Sequence, residues 1–230
     1  YIGLRQTVGM IRGMAESADI PVCLHLDHAT DMTLLKEAVI AGFTSVMIDA
    51  SRETYEGNIR ITKEAVEYAH KYGCSVEAEL GRIGGREEHV VVDDAQSALT
   101  DPEKAGEFAA ATGVDALAVA IGTAHGFYKS TPKLDFPRLE KIAALTDCPL
   151  VLHGGTGVPE EDFVKCVEYG MSKINVGTEF KAAYTTALRD SVSGNEVSEV
   201  DPRNYMKYVK TACEDIAERK MELFNSAGKA

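Results

Sequence analysis

Leu24-His25-Leu26-Asp27-His28 is the stretch around which the chain is organised, a short apolar run that ends in a carboxylate and an imidazole. Strand-forming residues predict a strand over 21–26, and Ala29-Thr30-Asp31 then opens a helical pattern. Two other strand-like runs finish in the same way, one leading to His125 and the other to His153. Three histidines that lie at strand ends are typical of a catalytic zinc site, in which the fourth coordination position is open to water or substrate.

The composition narrows the class of protein. The 230 residues are 45% hydrophobic, which is enough for one large core, and no apolar run is long enough to span a membrane. A net charge of −12 argues against nucleic acid and anionic membranes as partners. Five cysteines, odd in number and without a C-x-x-C pair, predict a reduced, cytoplasmic protein.

Strand and helix patterns alternate along the chain. Strands are predicted over 21–26, 44–48, 75–80, 115–121, 149–152 and 172–176, and helices over 4–18, 31–41, 56–72, 102–112, 136–145, 159–169, from 178 onward, and over 202–225. About six such units in strict alternation predict a parallel α/β sheet. We therefore expect a single (β/α)8 TIM barrel domain over 1–230 that lacks its first two strands, because the chain starts at Tyr1 and a missing start would supply both.

A doubly wound open sheet is the alternative fold. No G-x-G-x-x-G fingerprint follows any predicted strand. Polar residues lie at nearly every strand end rather than at one crossover, which favours the barrel, whose active sites lie at the carboxyl ends of the strands.

Carboxylates also fall near these strand ends. Asp49 follows the strand over 44–48, and Glu77 and Glu79 share one face of the strand over 75–80. Glu79 is the better functional candidate because it is nearer the strand end. His25 alternates away from Leu24 and Leu26, so it is expected at most to support the site. The connection 81–101 is predicted to be a lid or binding loop without regular structure of its own.

Glycine-rich turns follow the last two strands, Gly154-Gly155-Thr156-Gly157 and Gly177-Thr178. Glycines let the backbone N–H groups approach an anion, and barrels often hold phosphate in the loops after strands seven and eight. A metal, a phosphate cradle and the carboxylate of Asp27 to move a proton together indicate chemistry on a phosphorylated carbonyl compound. Aldol cleavage and isomerisation both fit these residues.

Six motifs together resemble the class II, zinc-dependent ketose-bisphosphate aldolases. They are Leu24-His25-Leu26-Asp27-His28, Glu77-Ala78-Glu79-Leu80-Gly81, Gly84-Gly85-Arg86-Glu87, Gly122-Thr123-Ala124-His125-Gly126-Phe127-Tyr128-Lys129, Leu152-His153-Gly154-Gly155-Thr156-Gly157 and Lys173-Ile174-Asn175-Val176-Gly177-Thr178. The resemblance runs from Tyr1 to the tail at 226–230, and it implies a reversible, zinc-dependent lyase of carbohydrate metabolism.

The resemblance also implies the metal sites. It assigns one catalytic zinc ion to His28, His125 and His153, and it places Asp49 and Glu79 near an alternative or second cation position. A monovalent cation near the phosphate loops is a further family feature. The family's members are usually homodimers or homotetramers, and the helix over 202–225 is the expected contact.

The remaining roles follow from the same resemblance. Asp27 is implied as the acid/base on the C4 hydroxyl of the ketose, and Glu87 as the residue that exchanges a proton on bound dihydroxyacetone phosphate. The substrate and its phosphate are implied to contact Gly126, Lys129, Gly154, Gly155, Thr156, Asn175, Val176, Gly177 and Thr178.

The identity of the sugar stays open. Fructose-specific members often carry an Asp where this chain has Gly177, and tagatose-type members carry a small residue, so fructose and tagatose 1,6-bisphosphate both remain candidates. The alternatives are an aldolase of another ketose phosphate or a metal-dependent phosphosugar epimerase. A catalytically silent subunit of a partner aldolase is a third reading, although the three histidines and Asp27 are all present.

Overall fold

The structure is a computed structural model that describes residues 2–87, 90–92, 98–126, 128, 130–194 and 200–229. Its elements, in chain order, are α1 (Leu4–Ala15), β1 (His25–Ala29), α2 (Met32–Ala41), β2 (Ser45–Ile48), α3 (Tyr55–Ala69), β3 (Ser75–Leu80), β4 (Gly84–Glu87), β5 (Val90–Val92), α4 (Pro102–Thr112), β6 (Ala116–Val119), β7 (Ala124–His125), α5 (Phe136–Leu145), β8 (Leu150–Leu152), α6 (Glu160–Glu168), β9 (Met171–Ile174), α7 (Thr178–Gly194) and α8 (Pro202–Leu223). A short 3-10 turn, His70–Tyr72, extends α3. None of the described helices combines the length and apolarity that crossing a membrane requires.

Six parallel strands form the main sheet in the order β1-β2-β3-β6-β8-β9. The order follows the chain without a reversal, as in a barrel and unlike a doubly wound sheet. In a flat sheet of this order β1 and β9 would lie on the order of 24 Å apart, at about 4.8 Å per strand. The side chains of Asp27 on β1 and Asn175 after β9 are instead 3.4 Å apart, so the sheet curls strongly.

The curled sheet has an apolar cluster on each of its two faces. Outside the sheet, one large apolar cluster packs the helices against the strands, with Leu35, Phe108 and Phe163 fully buried. Inside the curl, the apolar cluster consists of Met47, Ala118 and Val151. The same inner face also carries charged side chains, among them Glu77 and Lys173, whose carboxylate and amine are 2.8 Å apart.

The helix boundaries follow local signals. Asp31, Asp101 and Asp135 each accept a backbone N–H from the first turn of the helix that follows. Gly42 ends α2 in the left-handed conformation, with φ of 109°. These caps fix where each helix leaves its strand, and therefore where the strand-end residues point.

The structure corrects two predictions. The first strand spans His25–Ala29 rather than 21–26, because pairing begins where the carbonyl of Leu24 accepts the N–H of Thr44 and of Ser45. The connection 81–101 does contain regular structure. The glycines of β4 and the β-branched residues of β5 form an antiparallel hairpin, and β4 also pairs with β7.

Candidate functional site

Three imidazoles meet at the carboxyl end of the curled sheet. The ring centroids of His28 and His153 are 4.6 Å apart, those of His28 and His125 are 5.1 Å apart, and those of His125 and His153 are 5.7 Å apart. One nitrogen of each ring lies within 4.8 Å of the other two, a spacing suited to a shared metal ion. The structure therefore brings together the three histidines that the sequence predicts as ligands.

A bulge in β1 directs His28 into this group. The pairing of β1 with β2 shifts register between Leu26 and Ala29, and His28 adopts a positive φ of 45°. A positive φ is uncommon for a residue with a side chain, and such conformations concentrate at functional sites. The bulge therefore places Asp27 and His28 inside the strand, where the sequence predicts its end.

Carboxylates hold the outer nitrogens of two of these rings. Nδ1 of His28 lies 3.0 Å from Oδ2 of Asp49, and Nε2 of His153 lies 2.7 Å from Oε1 of Glu77. A carboxylate only accepts hydrogen bonds when ionised, so each partnered nitrogen carries the proton. The other nitrogens, Nε2 of His28 and Nδ1 of His153, face each other at 2.8 Å, within hydrogen-bond distance. Imidazoles whose outer nitrogens are held by carboxylates and whose inner nitrogens converge are the arrangement typical of metal-ligating histidines.

The electrostatics also favour a cation. Burial alone would lower the pKa of His28, but the hydrogen bond to Asp49 and the neighbouring negative charges raise it to about 9. Burial would likewise raise the pKa of Asp49, but hydrogen bonds from His28 and Ser51 hold it at about 2. His153 has its pKa lowered, chiefly by burial, so its imidazole is neutral at neutral pH.

Glu79 lies beside this centre. His28, Asp49 and Glu79 each offer a ligand atom within 4.8 Å of the others. Oε1 of Glu79 accepts the N–H of Ile83 at 3.3 Å, and Oε2 is buried without a hydrogen-bond partner among the described residues. Burial and the negative charge of Asp49 raise the pKa of Glu79 to about 8. The geometry thus fits the second cation position predicted at Asp49 and Glu79.

Asp27 is held at the open mouth of the curl. Both of its carboxylate oxygens lie 3.4 Å from the amide nitrogen of Asn175, and Oδ1 lies 3.7 Å from Nε2 of His25. Burial would raise the pKa of Asp27, but the neighbouring imidazole of His25 and the positive charges nearby hold it well below its ordinary range. Asp27 is therefore an ionised base close to the predicted ligands.

The sequence analysis ranked Glu77 below Glu79 and gave Lys173 no role, but both residues take part in the site. Glu77 accepts from His153 and, through its other oxygen, from Nζ of Lys173 at 2.8 Å. The alternation in β3 places Glu77 and Glu79 on one face and is the signal that could have found this residue. His25 has a supporting place, as expected, with Nδ1 2.7 Å from Oγ of Ser45.

The two glycine-rich turns lie against each other. The N–H of Gly155 donates to the carbonyl of Asn175 at 3.2 Å, and Oγ1 of Thr156 accepts the N–H of Glu179 at 3.2 Å. A Cβ at Gly155 would stand 2.8 Å from the carbonyl oxygen of Asn175, so the approach requires glycine. Because Thr178 begins α7, the joined turns present backbone N–H groups at a helix N-terminus.

The other predicted site residues have these places. Gly126 follows His125 with a positive φ of 90°. Val176 and Gly177 complete the turn between Asn175 and α7. Glu87 ends β4, but its side chain lies outside the described part of the chain, as does all of Lys129.

Comparisons with known proteins agree over the whole chain. A family model described as class II fructose-bisphosphate aldolase matches residues 1–229. A fructose-bisphosphate aldolase of Thermus caldophilus is 43% identical over 251 residues, which covers 99% of this chain and 82% of that protein. A fructose-bisphosphate aldolase of Staphylococcus epidermidis is 45% identical over 230 residues, which covers 99% of this chain and 79% of that protein.

Solved structures give the same result. The crystal structure of the YdjI aldolase from Escherichia coli K12 superposes with a TM-score of 0.85 at 36% identity, over 99% of this chain and 78% of that chain. Together with the strand order, this superposition confirms the barrel fold predicted from the sequence.

Proposed function

This chain belongs to the class II fructose-bisphosphate aldolase family, and from that premise we propose that its site reversibly cleaves fructose or tagatose 1,6-bisphosphate. The products are dihydroxyacetone phosphate and glyceraldehyde 3-phosphate. The observation that carries the proposal is the convergence of three imidazoles, two of which have their outer nitrogens held by carboxylates.

We propose that His28, His125 and His153 hold one zinc ion. The inner nitrogens of His28 and His153, which converge to 2.8 Å, support this assignment, as does the neutral state that burial gives His153. Bound zinc supplies a Lewis acid that polarises the C2 carbonyl of the ketose and stabilises the charge that develops there. Asp49 and Glu77 fix the tautomers and orientations of two ligands.

Asp27 acts as the base in the cleavage direction. Its carboxylate accepts the proton of the C4 hydroxyl, the C3–C4 bond breaks, and its electron pair passes to C3 and the C2 oxygen. The low pKa of Asp27 keeps it ionised for this step, and Asn175 orients both of its oxygens. Glu87 is proposed to exchange a proton on bound dihydroxyacetone phosphate.

The joined turns bind the phosphate of the substrate. Gly154 and Thr156 in one turn and Val176, Gly177 and Thr178 in the other offer N–H groups, and Gly155, whose N–H donates to Asn175, lets the two turns approach each other. Asn175, Gly126 and Lys129 are proposed as further contacts. Backbone N–H groups and the start of α7 supply positive potential to a protein whose net charge is −12. A monovalent cation beside these turns would add to it.

A coupled assay for triose phosphates on the purified chain tests the proposal. Fructose and tagatose bisphosphates are supplied separately, with and without a chelator. Cleavage that stops on chelation and returns with zinc supports the proposal, and the preferred substrate identifies the sugar. Turnover that persists in a fully chelated sample would contradict the zinc assignment.

The same assay covers the alternatives. Only cleavage yields triose phosphates, so a product that keeps the six-carbon skeleton would indicate an epimerase. Zinc bound without turnover of either sugar would point to another ketose phosphate. We also propose a homodimer or homotetramer in contact through α8, where Met206 and Tyr208 are exposed, and light scattering measures its mass. The cytoplasmic location stays a prediction.

A further inference from the structure

Tyr128 joins the backbones that carry two of the three proposed zinc ligands. Its hydroxyl accepts the N–H of Ala124 at 2.7 Å and donates to the carbonyl of Gly154 at 2.8 Å. Ala124 directly precedes His125, and Gly154 directly follows His153. One side chain thus bridges both ligand-bearing segments, and none of the sequence motifs assigned it a role.

The two segments approach so closely that their spacing matters. A Cβ at Gly154 would lie 2.4 Å from the carbonyl oxygen of Ala124, so their backbones are in direct contact. The ring of Tyr128 packs on Gly157, where a Cβ would lie 3.1 Å from the ring. The ring is therefore seated on the same turn whose first glycine receives its hydrogen bond.

The other side of His125 is held by pairing with Gly85 in the hairpin. Strand β7 has only two residues, so this pairing alone is a weak restraint. The hydroxyl of Tyr128, which accepts the N–H of Ala124, is a further restraint on the segment that carries His125. A hydroxyl suits this place because it donates and accepts at once.

We propose that Tyr128 is a positioning residue that sets the distance between His125 and His153 and so slows the release of zinc. The inference rests on the proposed zinc-dependent function and deepens it. Tyr128 acts through the backbone and touches neither the metal nor the reacting atoms.

The test is the rate at which the full-length, zinc-loaded protein gives up zinc to an excess of a coloured chelator. Tyr128→Phe keeps the ring on Gly157 and removes the bridge. We expect zinc release about 10- to 100-fold faster than in the wild type, the range found for groups that orient metal ligands. Thermal unfolding of the chelated proteins is measured in parallel.

Tyr55→Phe is the matched control. Its hydroxyl also donates to a backbone carbonyl, that of Lys104 at 3.1 Å, between α3 and α4. It should leave the rate of zinc release unchanged. A merely structural role of Tyr128 would lower the unfolding temperature of the chelated protein and leave zinc release as in the wild type, which would overturn the proposal.

Two further results are informative. A wild-type chain that binds no zinc overturns the proposed function and this inference together. Zinc released at the same rate by wild type and Tyr128→Phe overturns this inference alone. If Tyr128→Phe fails to fold, the rate of hydrogen exchange at the Ala124 amide of the wild type tests whether the hydrogen bond to Tyr128 is formed. Protection like that of the β8 amides supports the bridge, and exchange like that of an open loop contradicts it.

Discussion

Glu77 and Glu79 lie two residues apart in β3, on the same face and almost equally buried, at 2% and 3% exposure. Their surroundings nevertheless have opposite effects. Burial would raise the pKa of Glu77, but His153 and Lys173 lower it below its ordinary value. Burial and the charge of Asp49 raise the pKa of Glu79 to about 8. Equal burial therefore leaves these two carboxylates with opposite pKa shifts, and their nearest partners account for the difference.

The two regions consequently have different tasks. The Glu77 region consists of Glu77, His153 and Lys173, and both carboxylate oxygens of Glu77 accept hydrogen bonds from these partners. The Glu79 region leaves one buried oxygen without a partner among the described residues. The first orients a ligand, whereas the second is suited to receive a cation.

The largest expected effect comes from breaking the Glu77 region with His153→Ala. This change removes a proposed zinc ligand, so aldol cleavage should fall by at least about a thousandfold, because Lewis-acid stabilisation contributes several kcal/mol. Zinc content and triose-phosphate production measure it. The control is His70→Ala, which removes an exposed imidazole bonded to Asp115 and should retain zinc and activity. Full activity in His153→Ala would contradict the site.

Paired substitutions in the two regions sharpen the comparison. In chelated protein Glu77→Gln should cost about 3 kcal/mol of unfolding free energy, because it leaves buried partners unpaired. Glu79→Gln should cost less than about 1 kcal/mol at pH 7, since the amide resembles the protonated acid already present. Urea unfolding measures both. Equal losses would show that the two environments do not differ as described.

The pH dependence of stability tests the raised pKa of Glu79 directly. In the unfolded chain a glutamate loses its proton near its ordinary pKa of 4.5, whereas the raised pKa of Glu79 lets the folded chain retain the proton to about pH 8. The folded state therefore binds more protons between these values, and stability falls as pH rises through this window, by up to about 1.4 kcal/mol per pH unit. Urea unfolding of chelated wild type and Glu79→Gln across pH 5–8.5 should show a steeper fall in the wild type, whereas the raised pKa of His28 contributes to the fall in both proteins above about pH 6.5.

The smallest effect is expected from Lys173→Gln. The side chain of Lys173 is 36% exposed, so solvent screens its pairing with Glu77, and the loss should be about 1 kcal/mol or less. Lys141→Gln, which breaks a pair with exposed Glu103, should have no measurable effect. A loss in Lys173→Gln as large as that in Glu77→Gln would assign the network's stability to the lysine rather than to His153.

Sequence patterns predicted the elements whose signals are local. Caps such as Asp31 and Gly42, and the alternation of strands and helices, were enough for the barrel, and six motifs were enough for the family, which the comparisons confirm. The three histidines were predictable because parallel strands deliver their ends to one rim.

Features that depend on contacts between distant strands could not be predicted. The role of Glu77 depends on residues 76 and 96 positions away, which the curl brings close. The predicted start of β1 was wrong because Val22 and Leu24 are typical of a strand, whereas pairing with the neighbouring strand begins only at Leu24. The hairpin of β4 and β5 was missed because its glycine-rich, polar surroundings are typical of a loop.

The curl of the sheet also has a consequence for folding. His28 contacts His153 across 125 residues of sequence, and Asp27 meets Asn175 across 148. Because contacts of such separation carry a large entropy cost of loop closure, we expect the site to form late in folding. A metal ion held by His28, His125 and His153 would link β1 to β7 and to the end of β8, and its binding energy would add to the stability of the folded protein. The metal-free protein would then unfold more readily, in addition to lacking the proposed activity.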